Sequence, residues 1–134
     1  MKITALLCDY ADEVAGKLYI VGGGWSRILA DSVAPIALAI KFAIPWEQAN
    51  QPHNLNIRMV HEDGELFVGP DEKPIEMAGK VEVGRPPGTK AGSELDAALA
   101  VRIGPLAFPP GRYVWEISVD GTVLERIAFD AIGG

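Results

Sequence analysis

RYVWEISVDGTVLERIAFDA, residues 112–131, decides the fold. Its first half alternates. Tyr113, Trp115, Ile117 and Val119 fall on one face and Val114, Glu116 and Ser118 on the other, the two-residue period of a half-buried strand. Asp120-Gly121 follows, and both residues tolerate the positive φ that a tight type I′ turn requires. Thr122 to Ala131 then runs back, so the stretch predicts a β-hairpin. A two-residue loop sets Val119 opposite Thr122, Ile117 opposite Leu124, Trp115 opposite Arg126 and Tyr113 opposite Ala128. Arg126 is then placed to stack on Trp115. The same register opposes Glu116 to Glu125, a like-charge pair that a bulge near the turn would relieve.

The same alternation recurs upstream. Ile36, Leu38, Ile40, Phe42 and Ile44 share one face, with Ala37, Ala39, Lys41 and Ala43 opposite. Leu55, Ile57 and Met59 alternate with Asn54, Asn56 and Arg58, and Ile75 to Val83 and Leu95 to Ile103 repeat the pattern. Ile3–Cys8, Lys17–Val21 and Trp25–Leu29 are shorter strand candidates, and Asp9–Ala15 reads as a loop or one helical turn. Gly84 to Gly92 is the longest stretch without a pattern. The sum is about eight short strands between Gly/Pro-rich turns, with no amphipathic helix longer than roughly ten residues. The expectation is an all-β single domain over residues 1–134. It is an antiparallel two-sheet β-sandwich, with a closed β-barrel as the alternative.

Composition narrows the function. The 134 residues are 49% apolar and 22% charged, enough apolar content to bury a core. The formal charge of −6 argues against a sequence-independent nucleic-acid binder and against an anionic membrane surface, each of which needs a basic face. The expected partners therefore include neither nucleic acid nor membrane. One cysteine, Cys8, excludes an intramolecular disulfide and a thiolate zinc site. The apolar run before Asp9 is too short for a signal-peptide core, and Val33 to Ile44, the longest apolar candidate for a span, contains Lys41. Cytoplasmic residence is the expectation, and a virus-encoded chain would read the same.

The chemistry-bearing residues are scattered. Gly22-Gly23-Gly24 leads into Trp25-Ser26-Arg27 instead of a helix start, so it reads as a strand break or bulge, not a phosphate cradle. His53 and His61 sit at opposite ends of one strand, about 26 Å apart, too far to share a metal. Cys8 ends an apolar run, the setting of a small buried hydrophobe. Asp9, Asp12 and Glu13, and likewise Asp63, Asp71 and Glu72, lack an ordered calcium-ligand spacing and read as solvated loop charge. No catalytic residue, metal site or cofactor is expected.

Two features point to binding. Ala37, Ala39 and Ala43, with Ala98 and Ala100, lie on strand faces that a sandwich leaves outside, where alanine is depleted. A covering segment of the chain accounts for such a face, and so does a subunit interface; the interface is the sharper expectation and predicts a homo-oligomer. Trp25 and Trp46 fall in or beside loops and are candidate ligand-binding residues.

Leu6-Leu7-Cys8-Asp9, Gly16-Lys17 before an apolar strand, and Gly22-Gly23-Gly24-Trp25-Ser26-Arg27-Ile28 together resemble the opening of a family of short bacterial proteins of unknown function. The C-terminal Pro110-Gly111-Arg112-Tyr113 through Asp120-Gly121 is similar too, and also resembles immunoglobulin-like sandwich modules. The resemblance implies a β-sandwich and carries no activity or catalytic residues. The expected function is that of a non-enzymatic β-sandwich acting through protein–protein binding or self-assembly. The alternative is a module for a small ligand or carbohydrate.

Overall fold

Asp120 and Gly121 adopt φ of +50° and +83°, the type I′ pair that the sequence predicts, and the hairpin they close lies at the centre of a sheet. The computed structural model describes residues 1–133. Among these residues the chain forms nine strands: β1 (Lys2–Val14), β2 (Lys17–Gly23), β3 (Arg27–Leu29), β4 (Ala34–Ile44), β5 (His53–His61), β6 (Glu76–Val81), β7 (Leu95–Leu106), β8 (Gly111–Val119) and β9 (Thr122–Ile132). One 3₁₀ turn, Trp46–Gln48, follows β4. Asp9–Ala15 is neither loop nor helical turn. It extends β1 to Val14, and a second type I′ turn at Ala15-Gly16 (φ +52° and +78°) leads into β2. After β5 the stretch 65–68 contributes isolated bridges, Val60 to Leu66 and Val68 to Pro74.

Two sheets result, in the orders β2-β1-β4-β7 and β3-β9-β8-β5-β6. Neither closes on itself, so the architecture is a sandwich and not the barrel held as an alternative. The pairing is antiparallel except where β3 runs parallel to β9. The order β1-β4-β7 facing β9-β8-β5-β6 is that of an immunoglobulin-like sandwich. Tyr113, near the start of β8, adds a tyrosine-corner contact: its hydroxyl donates to the Pro109 carbonyl at 2.6 Å. No disulfide joins the sheets. Their core is instead the inward residues that the alternation marked, among them Leu38, Ile40 and Phe42 of β4, Ile57 and Met59 of β5, and Trp115 and Ile117 of β8. Phe67, Phe108, Tyr113 and Phe129 pack ring against ring at one end, with centroids 5.2 to 5.5 Å apart.

The β8–β9 register departs from the simple hairpin beyond its second pair, Ser118 with Val123. Val119 opposes Thr122, but a bulge at Leu124 shifts everything after it: Ile117 meets Glu125, Glu116 meets Arg126, Trp115 meets Ile127 and Tyr113 meets Phe129. The physical reason is charge. The bulge exchanges the Glu116–Glu125 clash for a Glu116–Arg126 pair and takes Arg126 off Trp115. Glu116 is buried, yet its two oxygens are both engaged, by Arg58 Nε at 2.8 Å and Arg126 Nε at 2.9 Å. Burial pushes its carboxyl up, but the two guanidiniums outweigh burial and hold it below the ordinary value.

Candidate functional site

The outer face of the four-stranded sheet is organised by a bend in the β1–β2 hairpin. Gly22 sits at φ +61° within β2, and a Cβ there would run into the Asp9 carboxylate. Asp9 Oδ1 accepts the indole N–H of Trp25 at 3.0 Å, and Gly24 N–H donates to the Leu7 carbonyl at 2.8 Å. The Cys-Asp and Gly-Gly-Gly-Trp motifs are thus two halves of one structural joint. In a flat strand Cys8 and Ala11 would face opposite sides. Here both are fully buried in one small cluster with Ala37 and Ala39, against which Leu18 and Ala100 pack. The distal half of the hairpin therefore folds over the sheet as an arm.

Arg102 of β7 clamps that arm. Its Nη1 donates to the Ala11 carbonyl at 2.9 Å and the Tyr10 hydroxyl at 3.3 Å, and lies 3.4 Å from Asp12 Oδ1. The guanidinium also stands over the Tyr10 ring, 5.0 Å from its centre.

This corrects the expected subunit interface. Ala37 and Ala39 are buried beneath the chain's own arm, Ala100 packs against the same cluster, and Ala43 and Ala98 are half-buried. Alanine is small here because the arm needs close approach. Ala37 and Ala39 are therefore not available to a second copy, while Ala43 and Ala98 lie outside the covered cluster. The tryptophans are committed as well. Trp25 is half-buried, held by Asp9 and set edge-on to Phe129 at 5.9 Å. Trp46 is half-buried in the 3₁₀ turn with Arg85 over its ring at 4.4 Å, while Arg85 Nη2 donates to the Trp46 carbonyl at 2.7 Å.

What the arm exposes is the more informative surface. Tyr10 pairs with Val21 and Asp12 with Tyr19, so Tyr10, Val14, Tyr19 and Val21 share the outward face. They are 46%, 52%, 55% and 61% exposed. Leu6 and Ile20 are exposed beside them. β2 is also a sheet edge, with one row of backbone N–H and C=O groups unpaired by any strand. The sequence signal for this face was present in Tyr19-Ile20-Val21, an apolar run on both sides of a short strand.

The titratable groups do structural work. Cys8 is buried, and burial together with Asp9 pushes its thiol up, away from a reactive thiolate. Asp12 caps Glu13 N–H and pairs with Arg102, Glu13 accepts Gly16 N–H, and Asp63 and Asp71 cap the turns at Glu65 and Lys73. Among the described residues no three His, Cys, Asp or Glu side chains gather to hold a metal ion. Sequence reasoning missed a linkage at His53. Its Nδ1 lies 2.8 Å from Asp120 Oδ2 and its Nε2 2.9 Å from the Gln48 carbonyl, two acceptors that call for a proton on each ring nitrogen. The hydrogen bond to Gln48, then that to Asp120, raise the His53 pKa above its ordinary 6.5.

The fold and this site define an immunoglobulin-like β-sandwich with a folded-over hairpin arm. The chain belongs to DUF6941, a family of unknown function, whose match spans residues 3–132. No curated protein matches the sequence. Among solved structures it is similar to Pseudomonas fluorescens alkylpurine DNA glycosylase AlkC bound to DNA containing an abasic site analog. The identity is 14% and the TM-score 0.39, over 79% of this chain and 27% of that one. The chain thus spans about a quarter of the length of that protein. The partner expectation is corrected at this point: net charge alone does not exclude nucleic acid, and the chain in this likeness was solved on DNA. At that TM-score the likeness carries no argument for DNA binding either. No helix among the described residues is long and apolar enough to cross a membrane.

Proposed function

We propose that this protein is a non-enzymatic protein-binding module whose docking face is the outward side of the β1–β2 arm. The observation that carries the reading is the concentration of exposed Tyr10, Val14, Tyr19 and Val21 on one face of a hairpin whose outer strand is a free edge. Such a face suits strand addition: backbone hydrogen bonds to β2 supply affinity, and the flanking rings and valines supply selectivity. Belonging to a family without an assigned activity is compatible with this role.

The test is a pair of substitutions, Tyr19→Lys and Val21→Glu, on a surface that contributes nothing to the core. Proximity labelling in the native host, followed by a titration with the purified captured protein, should give binding that the double variant weakens at least tenfold. Unchanged affinity in the variant overturns the reading. A solution mass that rises with concentration to a defined multiple of 14.3 kDa, and returns to 14.3 kDa in the variant, makes a second copy the occupant of the same face.

A further inference from the structure

Lys17 stands at the tip end of β2, on the same face as Tyr19 and Val21, because β2 pairs Lys17 with Val14, Tyr19 with Asp12 and Val21 with Tyr10. It is exposed and has no ion-pair partner among the described residues. The carboxylates of the arm are engaged elsewhere: Asp9 by the Trp25 indole, Asp12 by Arg102 and Glu13 by Gly16 N–H. A lysine in mid-strand guards an edge against pairing. Lys17 sits at the strand end, so Leu18 to Val21 stay open, and its charge filters what pairs there instead of blocking it. At the other end Gly22, with φ +61°, leaves the extended conformation and ends the regular edge. The open edge is thus the run from Lys17 to Val21.

A second copy does not satisfy this edge. β2 carries no carboxylate, so two β2 strands related by a two-fold axis set Lys17 against a neutral residue or against the other Lys17. On the remaining edge strands the carboxylates are Glu76 of β6 and Asp96 of β7, already held by Asn56 and Lys41. Pairing β2 with either of those edges is also head-to-tail, a contact that makes rings or filaments instead of a dimer.

On the reading that β2 is the docking edge, we infer that its occupant is an antiparallel segment of a different protein, apolar opposite Tyr19 and Val21 and acidic opposite Lys17. Antiparallel pairing is the more stable ladder, and it puts the acidic residue after the apolar run in the partner's sequence. The partner's carboxylate neutralises Lys17 directly across the strands, and β-branched or aromatic side chains cover Tyr19 and Val21. Self-pairing leaves Lys17 unmatched, so one residue supplies both affinity for the partner and discrimination against a second copy.

The probe is the end-capped peptide Ser-Val-Ile-Val-Thr-Glu-Ser, beside the same peptide with glutamine or lysine in place of its glutamate. Hydrogen exchange and amide chemical shifts are followed on the full chain. The glutamate peptide should protect those amides of residues 17–21 that β1 leaves free. It should bind about threefold more tightly than the glutamine peptide at low salt, a gap that closes at high salt. Lys17→Gln should equalise the two, and Lys17→Glu should reverse the order so that the lysine peptide binds best. Equal binding of the three peptides at β2 in every variant overturns the inference and leaves the docking face intact. Protection of the same amides on raising protein concentration without peptide also overturns it, by seating a second copy there. Binding of no peptide to β2 overturns it as well, and the Tyr19→Lys, Val21→Glu test then decides the docking face by itself.

Discussion

The Asp9 carboxylate occupies the space that a side chain at residue 22 would need, and the left-handed backbone of Gly22 holds β2 against it. Gly22→Ala therefore meets both a collision and an unfavourable φ. It should destabilise the fold by roughly 2–3 kcal/mol, whereas Gly24→Ala, at φ +92° with open space around it, should cost about 1 kcal/mol. Urea unfolding of both variants checks this. In an Asp9→Ala background the Gly22→Ala penalty should shrink toward the backbone cost alone, a coupling that a double-mutant cycle measures.

Glu116 depends on two arginines from different strands. Arg58→Ala leaves one carboxylate oxygen of a buried acid without its charged donor and should destabilise by about 1–3 kcal/mol. Arg58→Ala combined with Arg126→Ala should cost more than either alone, and replacing all three groups by apolar residues should recover part of the loss. A triple variant less stable than the double would contradict this account.

His53 and Asp120 give the fold a pH signature. The His53 pKa is raised by the Gln48 carbonyl and by Asp120, so its contribution is complete below the ordinary 6.5 and is lost as pH rises through the folded value. The Asp120 pKa is lowered by His53 and by the Asn54 N–H. Its contribution is complete above the ordinary 3.8 and is lost as pH falls through the folded value. From this pair, stability should hold between those two ordinary values and decline on either side. His53→Gln should flatten the alkaline decline, which denaturant midpoints across pH 4 to 9 would show.

Arg85 covers the Trp46 ring, and Arg85→Ala should expose it. The tryptophan emission should shift to longer wavelength with less than about 1 kcal/mol lost, because the contact is at the surface. Trp25 should keep its emission, since Asp9 and Phe129 are untouched.

The strands that build the common core were legible because their side chains alternate strictly. Ile36 to Ile44 and Tyr113 to Val119 bury the residues that the period selects. The arm was not legible. Asp9, Asp12 and Glu13 look like loop charge, and Ala15 is a poor residue for a turn that holds it at φ +52°. The alanine faces stand out in the sequence, but only a bend at Gly22 lets the chain cover Ala37 and Ala39 itself. The hairpin register was legible in part: the Glu116–Glu125 clash pointed to a bulge near the turn, while its place at Leu124 and the second guanidinium on Glu116, Arg58 of β5, lie beyond any local pattern.

The parallel β3–β9 pairing bears on how the chain is made. Arg27–Leu29 finds its hydrogen-bonding partner at Asp130–Ile132, about a hundred residues later in synthesis. β5 likewise waits for β8. A nascent chain holding β1 to β4 therefore emerges with a nearly complete sheet whose apolar inner face has nothing to pack on. Until β8 and β9 follow, that apolar face stays open, and slow translation should raise losses to aggregation.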